Sequence, residues 1–274
     1  AQSRCNMIGY LGYEGSYTFY AASSFVKIEE LISYSNIGRL FYALEHNEVT
    51  EIIVPYENMK EGTSFDVLGR VRKGHYHIIK EIVHEIELHV VSKEADTKNI
   101  EQIYATTHSI NECYNNLKSE FGKYQRFEVK TDKIALEKLN EESSIKRGAV
   151  LSNFHELGSY NVVLNDIRDT KENTHKYAVI SKNLNVNGLH NRTLIACSPK
   201  FNRTGSLYDI IHEFVIRGIN ITKILSSPQK TSTDDTIVYI EVEGNLEDKI
   251  IAESLSIVKF KSRFISIIGS YYSG

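Results

Sequence analysis

Apolar residues recur along this chain with two different periods, and the switches between them outline its elements. Toward the C-terminus, residues 193–198 (TLIACS) read as a strand. A helix then starts at Gly205, Ser206 and Leu207, and Leu207, Ile210, Ile211, Phe214 and Val215 fall on one apolar stripe. Gly218 ends it, where a left-handed cap needs no Cβ. Residues 220–228 and 236–244 follow as strands, and Asn245 reads as the N-cap of a second helix carrying Leu246, Ile250, Ile251, Leu255 and Val258. Residues 263–271 close the sheet, so the order is βαββαβ.

The longer N-terminal part alternates strands and helices, which predicts an α/β fold. Strands are expected at 7–12, 51–56, 102–107, 148–152 and 177–181, and residues 77–92 read as two more. Helices are expected through 21–26, near Val67 and over 111–121. Residues 183–191, with four Asn and one Gly, read as a linker. The Gly cluster at 9–16 matches neither the dinucleotide-binding nor the Walker spacing.

Composition narrows the class. At 274 residues the chain accommodates two domains with cores of their own. A net charge of −3 makes no electrostatic case for nucleic acid or a membrane surface. Cys5, Cys113 and Cys197 are odd in number and scattered, which points to reduced thiols and a cytoplasmic setting. No window approaches a membrane-spanning length, and no secretory h-region is visible. Residues 1–6 read either as a tag remnant or as the end of an upstream domain.

The C-terminal pattern resembles an ACT domain, a ferredoxin-like module that usually binds an amino acid and regulates the enzyme fused to it. Six segments of the N-terminal part resemble, in order, those of the prephenate dehydratase family. YLGYEGSYTFYAA (10–22) is similar to its opening Gly-Pro-x-Gly-Thr/Ser segment, and VPYENMKEG (54–62) to its Glu-Asn-Ser loop. TTHSINEC (106–113) stands in the place of Ser-His-Pro-Gln, TDKIA (131–135) of Thr-x-x-Ala-Ala, and GAVLS (148–152) of Ala-Ala-Ile-Ala-Ser. IRDTKENTHKYAVI (167–180) resembles the segment ending Asn-x-Thr-Arg-Phe.

This resemblance implies a two-lobed, periplasmic-binding-protein-like catalytic domain over 7–182, with lobe one at about 7–83 and 164–182 and lobe two at about 84–163. A linker at 183–191 and an ACT regulatory domain at 192–274 would follow. The implied activity is the decarboxylation and dehydration of prephenate to phenylpyruvate, with no cofactor and no metal. Phenylalanine is the implied effector, and a homodimer or homotetramer the implied assembly. The rival reading is a weak or inactive relative that binds an aromatic acid or amino acid; a solute-binding protein conflicts with the missing signal and the fused ACT pattern.

The same resemblance nominates the site. Counted without gaps from Ile167, the family's Thr-Arg-Phe falls on His175, Lys176 and Tyr177, with Thr174 one residue early. His175 is then the expected general acid, since imidazole titrates near physiological pH, and Thr174 regains the role only through a local shift. Asn58 and Lys176 are expected to hold substrate, and Ser16, Glu57, Thr107, Thr131 and Ser152 to line its pocket. Ser16, Thr131 and Ser152 read equally as helix caps, and His108 as structural. Gly205, Ser206, Leu207, Ser226 and Pro228 are the expected effector contacts. Met59, Ser109 and Ile110 replace motif residues in the catalytic part. Leu225 and Ser227 replace the two charged residues of the family's Glu-Ser-Arg-Pro, so weak phenylalanine inhibition is expected, with a dimer interface around Ile224 and Val238.

Overall fold

The computed structural model describes residues 7–141, 145–152, 159–172, 174–184, 188–201, 203–228 and 236–273. Residues 1–6, read as a tail, and 185–187 of the expected linker lie outside them. Along the chain come β1 (Ile8–Leu11), α1 (Tyr17–Ser23), β2 (Leu31–Tyr34), α2 (Ile37–Glu45), β3 (Glu51–Asn58), β4 (Gly62–Thr63), α3 (Phe65–Gly74) and β5 (His77–Glu85). The chain then builds β6 (Leu88–Ser92), β7 (Gln102–Thr106), α4 (Thr107–Glu112), α5 (Tyr114–Phe121), β8 (Gln125–Val129), α6 (Asp132–Asn140), β9 (Arg147–Ser152) and β10 (Asn161–Leu164). It returns through β11 (Thr174–Ser181) and ends in β12 (Arg192–Pro199), α7 (Ser206–Val215), β13 (Ile221–Pro228), β14 (Thr236–Glu243), α8 (Lys249–Lys261) and β15 (Ser262–Tyr271).

Two sheets organise these elements into two lobes. The smaller has the order β10-β6-β9-β7-β8. The larger runs β13-β14-β12-β15-β5-β11-β3-β1-β2, with β4 hydrogen-bonded to β3. The C-terminal βαββαβ module therefore continues the sheet of the first lobe. The seam is the parallel pairing of Gly269 on β15 with Ile78 on β5. A Cβ on Gly269 would meet the Ile78 carbonyl oxygen at 2.4 Å, so only glycine allows this approach.

Packing follows the amphipathic faces. On α2, Leu40, Phe41, Ala43 and Leu44 are buried; full burial of each leucine contributes roughly 1.5–3 kcal/mol. They belong to one core with Ala178 and Ile180 of β11 and with Leu194, Tyr239 and Tyr271 of the C-terminal module. On the other face of β11, Tyr177 and Val179 pack with Ala21 and Ala22 of α1. A separate core lies between α7, α8 and the C-terminal sheet, around Phe214, Val238 and Val258.

Several elements differ from the sequence reading. The helix expected over 111–121 breaks at Cys113 into α4 and α5. Asn245 does not cap α8: its side chain accepts from Glu247 N in the preceding turn, and Asp248 stands at the N-cap. Strand β11 starts three residues early, at Thr174, so His175 and Lys176 are sheet residues. Val238 is buried in the core and offers no interface, whereas Ile224, on the edge strand β13, is exposed.

Candidate active site

Strand alternation in β11 decides which way each candidate side chain points. His175 faces the second lobe. Its ring lies 4.9 Å from that of His108 on α4, edge to face at 72°. Tyr17, at the start of α1, contacts both rings, at 5.2 Å from His108 and 6.5 Å from His175. The Tyr17 hydroxyl shares a 2.5 Å hydrogen bond with Ser109 Oγ, which is 2.8 Å from Thr106 Oγ1. Thr106 caps α4 by accepting from Ser109 N. Elements of both lobes thus meet at His175.

The next residue turns away. Lys176 lies on the face shared with the C-terminal module, and its ammonium stands 3.2 Å from Glu81 and 3.6 Å from Glu57. Burial alone would lower its pKa, but the two carboxylates outweigh that and raise it. A lysine so engaged has little charge to offer a substrate carboxylate in the cleft. The period of two in a strand sets Lys176 on the opposite side of β11 from His175, where these ion pairs compete with the holding role expected of it, although it still borders the pocket beside Asn58.

The partner strand is irregular at the same point. Pairing of β3 with β11 sets Asn58 opposite His175 and Glu57 opposite Lys176, then slips by one residue before Tyr177 meets Pro55. The slip lets both Tyr56 and Glu57 serve the C-terminal side: Lys223 on β13 donates to Glu57 and sits over the Tyr56 ring. Thr63 of β4 also donates to Glu57. Burial pushes the Glu57 carboxyl up, yet Lys223, Thr63 and Lys176 together hold it below its ordinary value. Asn58 Oδ1 accepts from Lys60 N at 3.0 Å and Glu61 N at 2.7 Å, which ties down the loop after β3. A pocket of about 260 Å³ opens here, lined among others by Glu57, Asn58, Glu61, Thr63, His175 and Lys176.

Electrostatics correct a second expectation. Burial first, and then the neighbouring His108, lower the His175 pKa to about 4. Burial also lowers that of His108. His175 with so low a pKa is neutral at pH 7 and titrates below the physiological range.

The remaining candidates divide. Ser16 caps α1 by accepting from Phe19 N, and Thr131 caps α6 by accepting from Ile134 N; such a cap contributes about 1 kcal/mol. Ser152 is buried, its N–H donates to Asp132 Oδ2 at 2.7 Å, and its hydroxyl has no hydrogen-bond partner among the described residues. Thr107 is exposed and donates to Glu128, away from His175. Thr174 is half-buried at the first position of β11. His108, expected to be structural, stands beside His175, and Tyr17 and Glu112 near it and the buried Asp132 are further residues that the sequence motifs do not mark. Only His108 and Glu112, four apart, carried a local signal, namely one face of a helix.

In the C-terminal module a pocket of about 220 Å³ is lined by Ser206 and Leu207 at the start of α7, Ser226 on β13, and Arg203 and Arg263. Gly205 precedes α7 with φ 84°, a conformation that suits glycine. The backbone of Pro228 pairs with Thr236. Leu225 packs against the core shared with lobe one. No described helix is long and apolar enough to cross a membrane.

Comparison with known proteins agrees with this architecture. The chain is 29% identical over 270 residues to the bifunctional chorismate mutase/prephenate dehydratase of Aquifex aeolicus, covering 96% of this chain and 73% of that protein. It is 25% identical over 283 residues to the prephenate dehydratase of Bacillus subtilis, covering 97% and 98%. The structure of prephenate dehydratase from Arthrobacter aurescens in complex with L-Phe superposes with a TM-score of 0.80 at 20% identity, over 97% of this chain and 90% of that one. Residues 8–185, more than half of the chain, match the family described as prephenate dehydratase, and the chain belongs to that family.

Proposed function

We propose that the chain converts prephenate to phenylpyruvate in the cleft between its lobes, within L-phenylalanine biosynthesis in the cytoplasm. The observation that carries this reading is His175, held between Tyr17 and His108 and paired across the strands with Asn58 at the pocket. We assign residues 7–182 to the catalytic domain, 183–191 to the linker and 192–274 to the regulatory domain.

The chemistry is compatible with a neutral resting imidazole. Loss of CO2 leaves its bonding pair in the ring, which becomes aromatic as the C–O bond breaks. The departing hydroxyl needs one proton to leave as water. A substrate with two carboxylates, placed beside His175, opposes the desolvation that keeps it neutral. Binding then loads the proton that the reaction consumes, and His175 delivers it as a general acid. Thr174, next along the strand, projects by the same alternation to the side of Lys176 and becomes the donor only through a local shift of β11.

L-Phe, the ligand in the Arthrobacter structure, is the proposed effector, bound at the Ser206–Ser226 pocket. Assembly as a homodimer or homotetramer through the exposed edge strand β13 completes the reading. Purified chain incubated with prephenate, with phenylpyruvate followed by its absorbance in alkali, tests the activity. The engagement of Lys176 by Glu57 and Glu81 favours a second reading, a weakly active relative that binds an aromatic acid. Tight prephenate binding with no product above the spontaneous rate would select it.

A further inference from the structure

The fold brings two further metal-ligating side chains to His175, on which the family's Thr-Arg-Phe threonine falls when counted without gaps from Ile167. His108 and Glu112 lie four residues apart on α4, on one face of that helix. His175 arrives from β11 in the other lobe. One donor atom from each of the three lies within 4.8 Å of the other two. Glu112 and His175 are buried, at 4% and 8% exposure. His108 Nε2 is buried and has no hydrogen-bond partner among the described residues. We propose that His108, Glu112 and His175 form a site for a divalent transition metal of the zinc class, bridging the two lobes.

The donor set selects the ion. Two imidazoles and one carboxylate suit Zn2+, Co2+ or Ni2+, while Mg2+ and Ca2+ prefer all-oxygen shells. Three donors no more than 4.8 Å apart have a common centre about 2.8 Å from each or nearer. Zinc–ligand bonds are about 2.0–2.1 Å, so each side chain need move inward by less than about 1 Å. The Lys60 ammonium, 3.6 Å from Glu112 Oε1, is the group an entering cation displaces. Three protein ligands leave a fourth position of a tetrahedral ion for water or another small ligand. Because the ligands come from both lobes, the bound ion fastens the cleft. Because it occupies His175, it opposes the proposed dehydration instead of assisting it. Metal binding itself does not rest on that reading.

Zn2+ titration of the full chain against a chromophoric chelator, and the visible absorption of bound Co2+, test the site. One equivalent is expected, with a tetrahedral Co2+ spectrum, unaffected by excess Mg2+. His108→Ala, Glu112→Gln and His175→Ala should each weaken binding by at least about 10- to 100-fold, the loss already seen when outer-shell partners are removed. Melting curves of the metal-free variants show whether each is folded. His84→Ala, on β5 outside the cluster, should bind as the parent does. Absence of stoichiometric binding overturns the site, and so does binding that all three variants retain, which would place the ion on other histidines. Prephenate turnover in chelator is read separately: turnover without metal binding sinks this site alone, and metal binding without turnover sinks only the dehydratase reading.

Discussion

Lys223, on the edge strand of the C-terminal module, donates to Glu57, the residue immediately before Asn58 at the cleft pocket. Lys176 joins Glu57 to Glu81, and Glu81 accepts a 2.7 Å hydrogen bond from Ser273 at the end of the chain. The C-terminal module thus grips the back of the strand pair whose front carries His175. A shift of β13 against β3 would move Glu57, and Asn58 with it, which is a physical route for an effector to act on the cleft.

Lys223→Met leaves Glu57 with one cation fewer in a largely buried place. A loss of about 1–3 kcal/mol is expected, the ordinary cost of an unsatisfied buried partner, with the lower end favoured because Lys176 remains. Since the folded-state pKa of Glu57 lies below its ordinary 4.5, its stabilisation is present above that pH and lost as pH falls through the lowered value. Thermal melts between neutral and acid pH should therefore converge for the variant and the parent. A gap between them that stays constant down to the lowest pH contradicts this account.

His175 should show two pKa values in kinetics. Free chain, reported by kcat/KM, should carry a group near 4, and the substrate complex, reported by kcat, a higher one. The imidazolium is the active form of the complex, so kcat falls as pH rises through that second value. His175→Ala should lower kcat by roughly 10²-fold or more with a smaller change in KM. Full activity in His175→Ala together with collapse in Thr174→Ala would assign the proton to Thr174.

Arg263 and Arg203 line the C-terminal pocket beside Ser226, the proposed effector site, and Leu225 and Ser227 stand where the resemblance expects two charged residues. If an arginine there now holds the effector carboxylate, Arg263→Met should weaken phenylalanine binding by roughly 10- to 100-fold, the worth of one charge-assisted hydrogen bond. Inhibition in the parent should be weak, because two charged contacts to the effector are gone. Calorimetry and an inhibition curve measured together check both statements; tight binding with strong inhibition in Arg263→Met refutes them.

Gly269→Ala addresses the seam between the modules. Its Cβ would collide with the Ile78 backbone oxygen, and backbone atoms cannot rotate out of the way. Overpacking of this kind costs about 1–3 kcal/mol, and the strain falls chiefly on the β15–β5 contact, where both of the nearest atoms belong to Ile78. Calorimetry should resolve a lower first transition as the modules uncouple. An unchanged single transition at the parent's temperature would show that the seam contributes nothing to their coupling.

The chain's own pattern determined the α/β alternation, the βαββαβ order and most strand positions, because these depend on periods of 2 and 3.6 that neighbouring residues reveal. Strand β8 is polar and exposed over most of its length and becomes distinct only through its pairing with β7, whereas α2 carries a legible apolar face behind its Asn36 cap. Candidate residues were legible as types but not as directions. His175 and Lys176 are adjacent in a polar run, and only the extension of β11 to Thr174 sends one to the cleft and the other to the Glu57–Glu81 pair. The charge state of His175 was equally out of reach, since it is set by burial and by His108, which stands 67 residues away in the chain. Periodicity is a local property of a chain, whereas desolvation and the meeting of side chains from two lobes exist only once the lobes have closed on each other.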